Sequence, residues 1–369
     1  FRAKFVGGLQ RPQVLRLAYC GAHSQSDLSR SEVVSLKRGA RLRSWWATAV
    51  FADDSEAGCV LGFLTAHRFA GQVEISDELL EASHATENRQ PTGRYVLWSE
   101  PIFFASAGRV MDALIAYGCH VGLLNGKRGA KSPVWGWGSW GHFHDAVTAT
   151  LALSNAEELC RSDLRGTGPP LVHVDHGWEE QFQAHRPAPT WKARGEFGGE
   201  LAPLGRKLRA RGVRLGAWVV PFAVNSSGPL PRALHAAVLR DSTGQPWPVV
   251  GRECYGLDPT CPAGERWLRE LFGRLKRAGI THYKLDFLRV LLATDPDDPH
   301  YGLGQPSPFQ AGLTRVEAYR RGLEIIRDVV GPRAHLLACG APLLPSAGLI
   351  DSVRILPAKA ERGASGHRY

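Results

Sequence analysis

Ile280-Thr281-His282-Tyr283-Lys284-Leu285-Asp286-Phe287 is the stretch on which the fold turns. Its apolar and aromatic residues, closed by Phe287, read as one buried strand. Two charged residues interrupt it. Lys284 and Asp286 stand two apart, so on a strand they point to the same side. Burying both is costly unless they pair. The C-terminal end of a strand is also where parallel barrels keep their reactive groups. A nearby ammonium keeps a carboxylate ionised, as a nucleophile requires. Taken alone, the pattern reads equally well as a structural ion pair that caps a barrel mouth.

Outward from this strand, apolar runs alternate with helical patterns. Candidate strands occupy residues 134–140, 171–176, 214–222, 255–258, 280–287, 334–338 and 351–355. Between them Leu201, Leu204 and Leu208 recur at helical spacing, and Trp267, Leu268, Leu271, Phe272 and Leu275 form one stripe. Val316, Tyr319, Leu323, Ile326 and Val330 form another, opened by the capping box Thr314-x-x-Glu317 and closed at Gly331. Alternating βα units predict a parallel sheet or barrel. Seven candidate strands are one short of a (β/α)8 barrel. Too few residues follow Ile355 for another helix and strand, so an α/β TIM barrel incomplete at its C-terminus is expected over residues 134–369. Residues 125–133, rich in Gly and Lys and closed by Pro133, read as a linker. Residues 1–124 read as part of a β-sandwich, with strand-like runs at 44–52, 59–66, 95–98 and 102–105 and a helical run at 110–117.

The 369 residues are 44% hydrophobic and 22% charged, a globular balance, and no apolar run approaches the roughly 18 residues of a membrane span. The formal net charge of +10 raises nucleic-acid binding. The basic residues speak against it: Arg206, Lys207, Arg209 and Arg211, like Arg320, Arg321 and Arg327, fall between apolar helix positions, as on a solvated face. Seven cysteines without a C-x-x-C pair fit neither a zinc site nor a disulfide framework, and a reducing, cytoplasmic setting is expected. The chain begins at Phe1 without a Met, which suits an internal piece of a longer reading frame.

Further polar residues stand at other strand ends. Asp175 lies in Val174-Asp175-His176-Gly177-Trp178, where it reads either as a turn residue beside a core Trp or as a sugar ligand beside an aromatic plate. Trp140 and Trp218 belong to an unusually Trp-rich chain, and Asn225 could donate from a rim. Cys339-Gly340-Ala341-Pro342 follows the 334–338 run, and Arg354 closes the last.

Six motifs in order resemble the melibiase-type α-galactosidases of glycoside hydrolase family 36, with raffinose synthases as relatives. They are Gly136-Trp137-Gly138-Ser139-Trp140, Val174 to Trp178, Gly216-Ala217-Trp218-Val219-Val220-Pro221-Phe222, Leu257-Asp258-Pro259-Thr260, Tyr283 to Phe287, and Cys339 to Pro342 continued by Asp351-Ser352-Val353-Arg354-Ile355. Ser44-Trp45-Trp46 resembles the end of that family's N-terminal β-supersandwich. The resemblance implies a retaining α-galactosidase with Asp286 as nucleophile. It implies that Asp175, His176 and Lys284 bond galactose hydroxyls, that Trp140 and Trp218 line the subsite, and that Cys339 and Arg354 lie beside the sugar. It implies an α-galactoside substrate and no metal or cofactor, and it is compatible with a homo-oligomer.

Three departures stand out. Gly141 replaces a Tyr after Trp140, and His176 replaces the second of paired aspartates. Arg354-Ile355-Leu356-Pro357-Ala358 puts Ala358 where the family carries its acid/base Asp. Loss of general acid catalysis typically costs about 10²–10⁴-fold. A non-catalytic galactoside-binding homologue and a raffinose-synthase-like transglycosylase are the competing readings.

Overall fold

The computed structural model describes residues 1–4, 11–20, 31–53, 56–87, 99–126, 133–183, 186–187, 190–226, 230, 232–241, 243–249, 254–292, 310 and 312–354. Six parallel strands make one curled sheet, hydrogen-bonded in chain order. They are β1 (Gly136–Gly138), β2 (Leu171–Val174), β3 (Arg214–Val219), β4 (Ile280–Leu285), β5 (His335–Ala338) and β6 (Ser352–Val353). Helices α1 (Ala149–Arg161), α2 (Ala202–Ala210), α3 (Pro262–Arg277) and α4 (Arg315–Val330) connect them. This is the arrangement of an incomplete TIM barrel.

The predicted stripes become buried faces. Leu204 and Leu208 of α2, Leu268, Leu271, Phe272 and Leu275 of α3, and Val316, Tyr319, Leu323, Ile326 and Val330 of α4 are all buried. Truncating one such residue to Ala costs about 2–5 kcal/mol, because transfer energy and a cavity add. The capping box at α4 closes in both directions. Glu317 N donates to Thr314 Oγ1 at 3.2 Å, and Thr314 N donates to Glu317 Oε2 at 2.8 Å.

The strand count is corrected from seven to six. Cys254–Gly256, predicted as a barrel strand at residues 255–258, pairs antiparallel with both Ala223–Asn225 and Pro248–Val249. β3 pairs directly with β4. The reason lies in the connection. A parallel neighbour needs a crossover, usually a helix, and among the described residues between 226 and 253 the only helical piece is the single turn Arg232–Leu234.

The N-terminal residues form two antiparallel sheets. One orders Glu32–Ser35, Pro12–Arg16, Ala47–Ala52, Gly58–Phe63 and Ile102–Ala107; the other orders Arg2–Lys4, Leu79–His84, Gly71–Ile75 and Leu42–Trp45. The run predicted as one strand at 44–52 breaks at Trp46, whose φ of 64° is left-handed, and its halves enter different sheets. Residues 95–98, also predicted as strand, and most of the predicted linker lie outside the described residues. Val14, Val50, Leu61, Val73 and Leu80 join the same core as the barrel. Helix Val110–Leu124 places Ala113 against Ala49 and Val60.

Tyr19 stitches this unit to the barrel mouth. Its hydroxyl donates to Leu292 O at 3.1 Å, and its carbonyl accepts from Trp46 Nε1 at 3.0 Å and Leu343 N at 3.1 Å. The loops after β4 and β5 are therefore braced from outside the barrel. Among the described residues no helix is long and apolar enough to cross a membrane.

Candidate active site

Strand alternation decides what meets inside the barrel. On β4 and its continuation, His282, Lys284 and Asp286 share one side. On β2, His173 and Asp175 do so, and on β3, Gly216 and Trp218. Gly216 is required by this packing: a methyl there would stand 2.6 Å from His173 Nδ1.

Asp286 sits one residue past β4, with its N–H still in the ladder to Val219 O at 2.9 Å. The chain then turns sharply, since Phe287 has a left-handed φ of 54°. That turn aims the Phe287 N–H at Asp286 Oδ1, 2.9 Å away. The Trp218 indole N–H donates to Asp286 Oδ2, also at 2.9 Å. Each oxygen thus accepts a fixed donor, and the carboxylate is oriented from two sides. The carboxylate is buried.

The partner of Lys284 is not the one its spacing suggests. Its ammonium donates to Asp175 Oδ2 at 2.7 Å. Burial opposes the lysine's charge, but Asp175 first, and then Asp286 and Cys339, push its pKa above the ordinary value. Burial likewise works against an ionised Asp175. The His173 imidazole, whose Nε2 lies 3.6 Å from Asp175 Oδ2, and the Lys284 ammonium outweigh it and hold the acid at about 2. At 3.6 Å the histidine acts as an electrostatic neighbour, beyond hydrogen-bond range. Asp175 is fixed further by its own N–H, which donates to Ser139 Oγ at 2.8 Å, and by His176 N, which donates to Asp175 Oδ1 at 3.0 Å. Ser139, at the end of β1, is thus a supporting residue that spacing alone did not single out.

The aromatics divide by role. Trp218 lies 4.8 Å from the His176 ring and 5.7 Å from Trp191, centroid to centroid. Trp140 opens the short helix after β1, with its ring 6.1 Å from His176. Trp178, read from sequence either as a core Trp or as an aromatic plate, is fully buried, and its indole N–H donates to Trp218 O at 2.9 Å, so it is a core residue that props Trp218. Asn225, a predicted rim donor, is fully buried in its antiparallel strand.

Cys339 follows β5, and its N–H donates to Leu285 O at 2.8 Å. Burial, reinforced by Asp286, pushes its thiol up to about 12, so it is a neutral group beside the carboxylate. Arg354 is held through its backbone to Ala338 O at 3.0 Å, and its charge works in the opposite direction on Cys339. Asp351, three residues earlier, is taken up by Arg327 and by Leu336 N, both at 2.8 Å, on the helix side of the sheet. Ala358 lies outside the described residues. Glu179, which sequence reading missed, is fully buried and bonds His176 Nδ1 at 2.5 Å. The only signal available was an acid three residues after His176.

The chain matches no protein-family model. Over 120 residues it is 27% identical to alpha-galactosidase 2 of Arabidopsis thaliana, a match that spans 32% of this chain and 30% of that relative's length. Among solved structures it is similar to an α-galactosidase from Thermus thermophilus in complex with stachyose, with a TM-score of 0.69 and 22% identity, covering 97% of this chain and 73% of that one. It is also similar to a GH36 α-galactosidase from Geobacillus stearothermophilus in complex with raffinose, with a TM-score of 0.65 and 16% identity, covering 95% and 51%. The chain therefore has the fold of these GH36 α-galactosidases.

Proposed function

We propose that this chain belongs to a retaining glycoside hydrolase acting on terminal α-galactosides, with Asp286 as its nucleophile. One observation carries the reading. A buried carboxylate at the C-terminal end of β4 is oriented by Trp218 and by its own turn, beside the ion pair of Lys284 and Asp175. The shared fold with α-galactosidases solved with stachyose and raffinose supports the substrate class.

In this reading Asp286 attacks the anomeric carbon as the glycosidic C–O bond breaks, giving a glycosyl ester, and water later cleaves that ester with net retention. The leaving oxygen needs a proton from a second carboxyl group, which in retaining enzymes stands about 5 Å from the nucleophile's. The matching position in this chain is Ala358. Asp175, His176 and Lys284 would bond the sugar hydroxyls, Trp140 and Trp218 would flank the ring, and Cys339 and Arg354 would border it. The seven free cysteines support a reducing, cytoplasmic setting.

An activated fluorinated galactoside tests the assignment by trapping the ester. A label on Asp286 is expected; a label on any other residue overturns it. Aryl α-galactosides need little acid assistance, so slow, Asp286-dependent turnover is expected from this chain. Galactose binding without any such turnover would favour a non-catalytic sugar-binding protein instead.

A further inference from the structure

His176 and Glu179 form a buried imidazole–carboxylate pair, of which the mechanism above uses the histidine and leaves the carboxylate without a role. Glu179 is fully buried. Its Oε1 lies 2.5 Å from His176 Nδ1, and Gly177 N donates to Oε2 at 3.1 Å and to Oε1 at 3.3 Å. A carboxylate in its ionised form only accepts, and such a partner places the ring proton on Nδ1. The other nitrogen, Nε2, is buried and bonds no group among the described residues. The ring stands between Trp140 and Trp218, and Trp218 is the residue whose indole holds Asp286.

We propose that Glu179 is a positioning residue: it locks the His176 proton on Nδ1 so that Nε2 accepts a hydrogen bond from a sugar hydroxyl. The inference rests on the galactoside reading and specifies how one subsite of it works. A ring protonated on both nitrogens would bury a second N–H with nothing to take it, whereas the neutral ring leaves only a lone pair. The imidazole then does with one lone pair what a carboxylate at that place would do with several, so it selects a single hydroxyl that donates.

Glu179→Gln separates this role from simple support of the Gly177 turn. Glutamine offers one oxygen where glutamate offers two. If that oxygen keeps Gly177 N–H, the amide NH2 faces Nδ1. The imidazole must then move its proton to Nε2, which turns from acceptor to donor.

Two measurements on the full chain decide the matter. The first is 15N NMR of the imidazoles, with His176 assigned by comparison with His176→Asn. The proton is expected on Nδ1 in the wild type and on Nε2 in Glu179→Gln. A wild-type proton on Nε2, or on both nitrogens, overturns the proposal even if the variant fails to fold. The second is calorimetric binding of galactose and its 2-, 3-, 4- and 6-deoxyfluoro analogues, since fluorine cannot donate. One analogue is expected to bind the wild type at least about 10-fold more weakly than galactose, the loss that accompanies an unpaired buried group. That discrimination should shrink in Glu179→Gln. Equal binding of all four analogues and galactose to the wild type overturns the proposal. If the proton sits on Nδ1 but galactose does not bind at all, the galactoside reading fails and takes the recognition role with it. A proton misplaced in a chain that binds galactose sinks the Glu179 role alone.

Discussion

Two polar layers lie one above the other inside the same half-barrel, and they are built on opposite terms. The upper layer holds Asp175, Trp218 and Lys284, with Asp286 at its rim. Its groups are bonded: the Lys284 ammonium to Asp175 at 2.7 Å, and the Asp286 carboxylate to the Trp218 indole N–H at 2.9 Å. The lower layer holds His173, His282 and His335, linked across the sheet through Gly216. Its rings touch each other, at 5.5 Å edge-on and 4.7 Å stacked. Both nitrogens of His173 and Nδ1 of His282 have no hydrogen-bond partner among the described residues. Burial of polar groups is therefore not itself the mark of a site. What distinguishes the upper layer is that its groups are fixed by bonds and lie at the strand ends, where a ligand can reach them.

The largest expected effect tests that distinction directly. Asp286→Ala should lower turnover of an aryl α-galactoside by at least about three orders of magnitude, as loss of a nucleophile does elsewhere. His282→Leu, one layer down, should leave turnover within about 10-fold of the parent. Equal losses in the two variants, measured at matched folded fractions, would break the comparison.

Next in size is the cost of unmatching the upper layer. Lys284→Met leaves Asp175 buried without its ammonium, and breaking such a pair costs about 3–5 kcal/mol. Urea unfolding should report it as a lower midpoint at an unchanged slope. A loss under about 1 kcal/mol would mean that Asp175 does not depend on Lys284.

The lower layer should reveal itself through acid. Burial first, and then the neighbouring His173, His335 and Arg214, lower the pKa of His282 from 6.5 to about 2. Between those values the unfolded chain binds a proton at this residue and the folded chain does not. Stability is therefore complete above pH 6.5 and falls as the pH drops toward 2, by up to about 1.4 kcal/mol per pH unit. His282→Leu should make the acid limb of an unfolding-versus-pH curve shallower by up to one proton. An unchanged limb would assign the acid sensitivity to other groups.

Much of the upper layer was legible in the sequence and little of its wiring was. The two-residue spacing of Lys284 and Asp286 correctly put them on one face, yet the bond that matters joins Lys284 to Asp175, 109 residues earlier. Spacing along one strand cannot show which neighbouring strand lies beside it. The lower layer was legible by the same alternation, because His173 stands two before Asp175 and His282 two before Lys284. It went unread because a lone histidine in an apolar run carries no motif. The barrel itself was readable from helix stripes, but the short run at Cys254–Gly256 was miscounted, since three residues carry no period that separates parallel from antiparallel pairing.

A weaker contact holds the lower layer at the far edge of the sheet. His335, unlike His173, has a bonded ring nitrogen: its Nε2 lies 2.8 Å from Ser352 Oγ, across from β5 to β6. Ser352→Ala removes that partner from a half-buried nitrogen that water can still approach, so the expected cost is only about 1 kcal/mol. Ser352→Thr keeps the hydroxyl and should cost less. If alanine is neutral while threonine destabilises, packing rather than the hydrogen bond governs this position, and the lower layer has no bonded anchor at Ser352. If alanine costs the larger amount, the histidine layer is tied to the sheet at Ser352 and open at His173. The acid loss of stability should then originate at His282 in the middle of the layer, whose Nδ1 has no hydrogen-bond partner among the described residues.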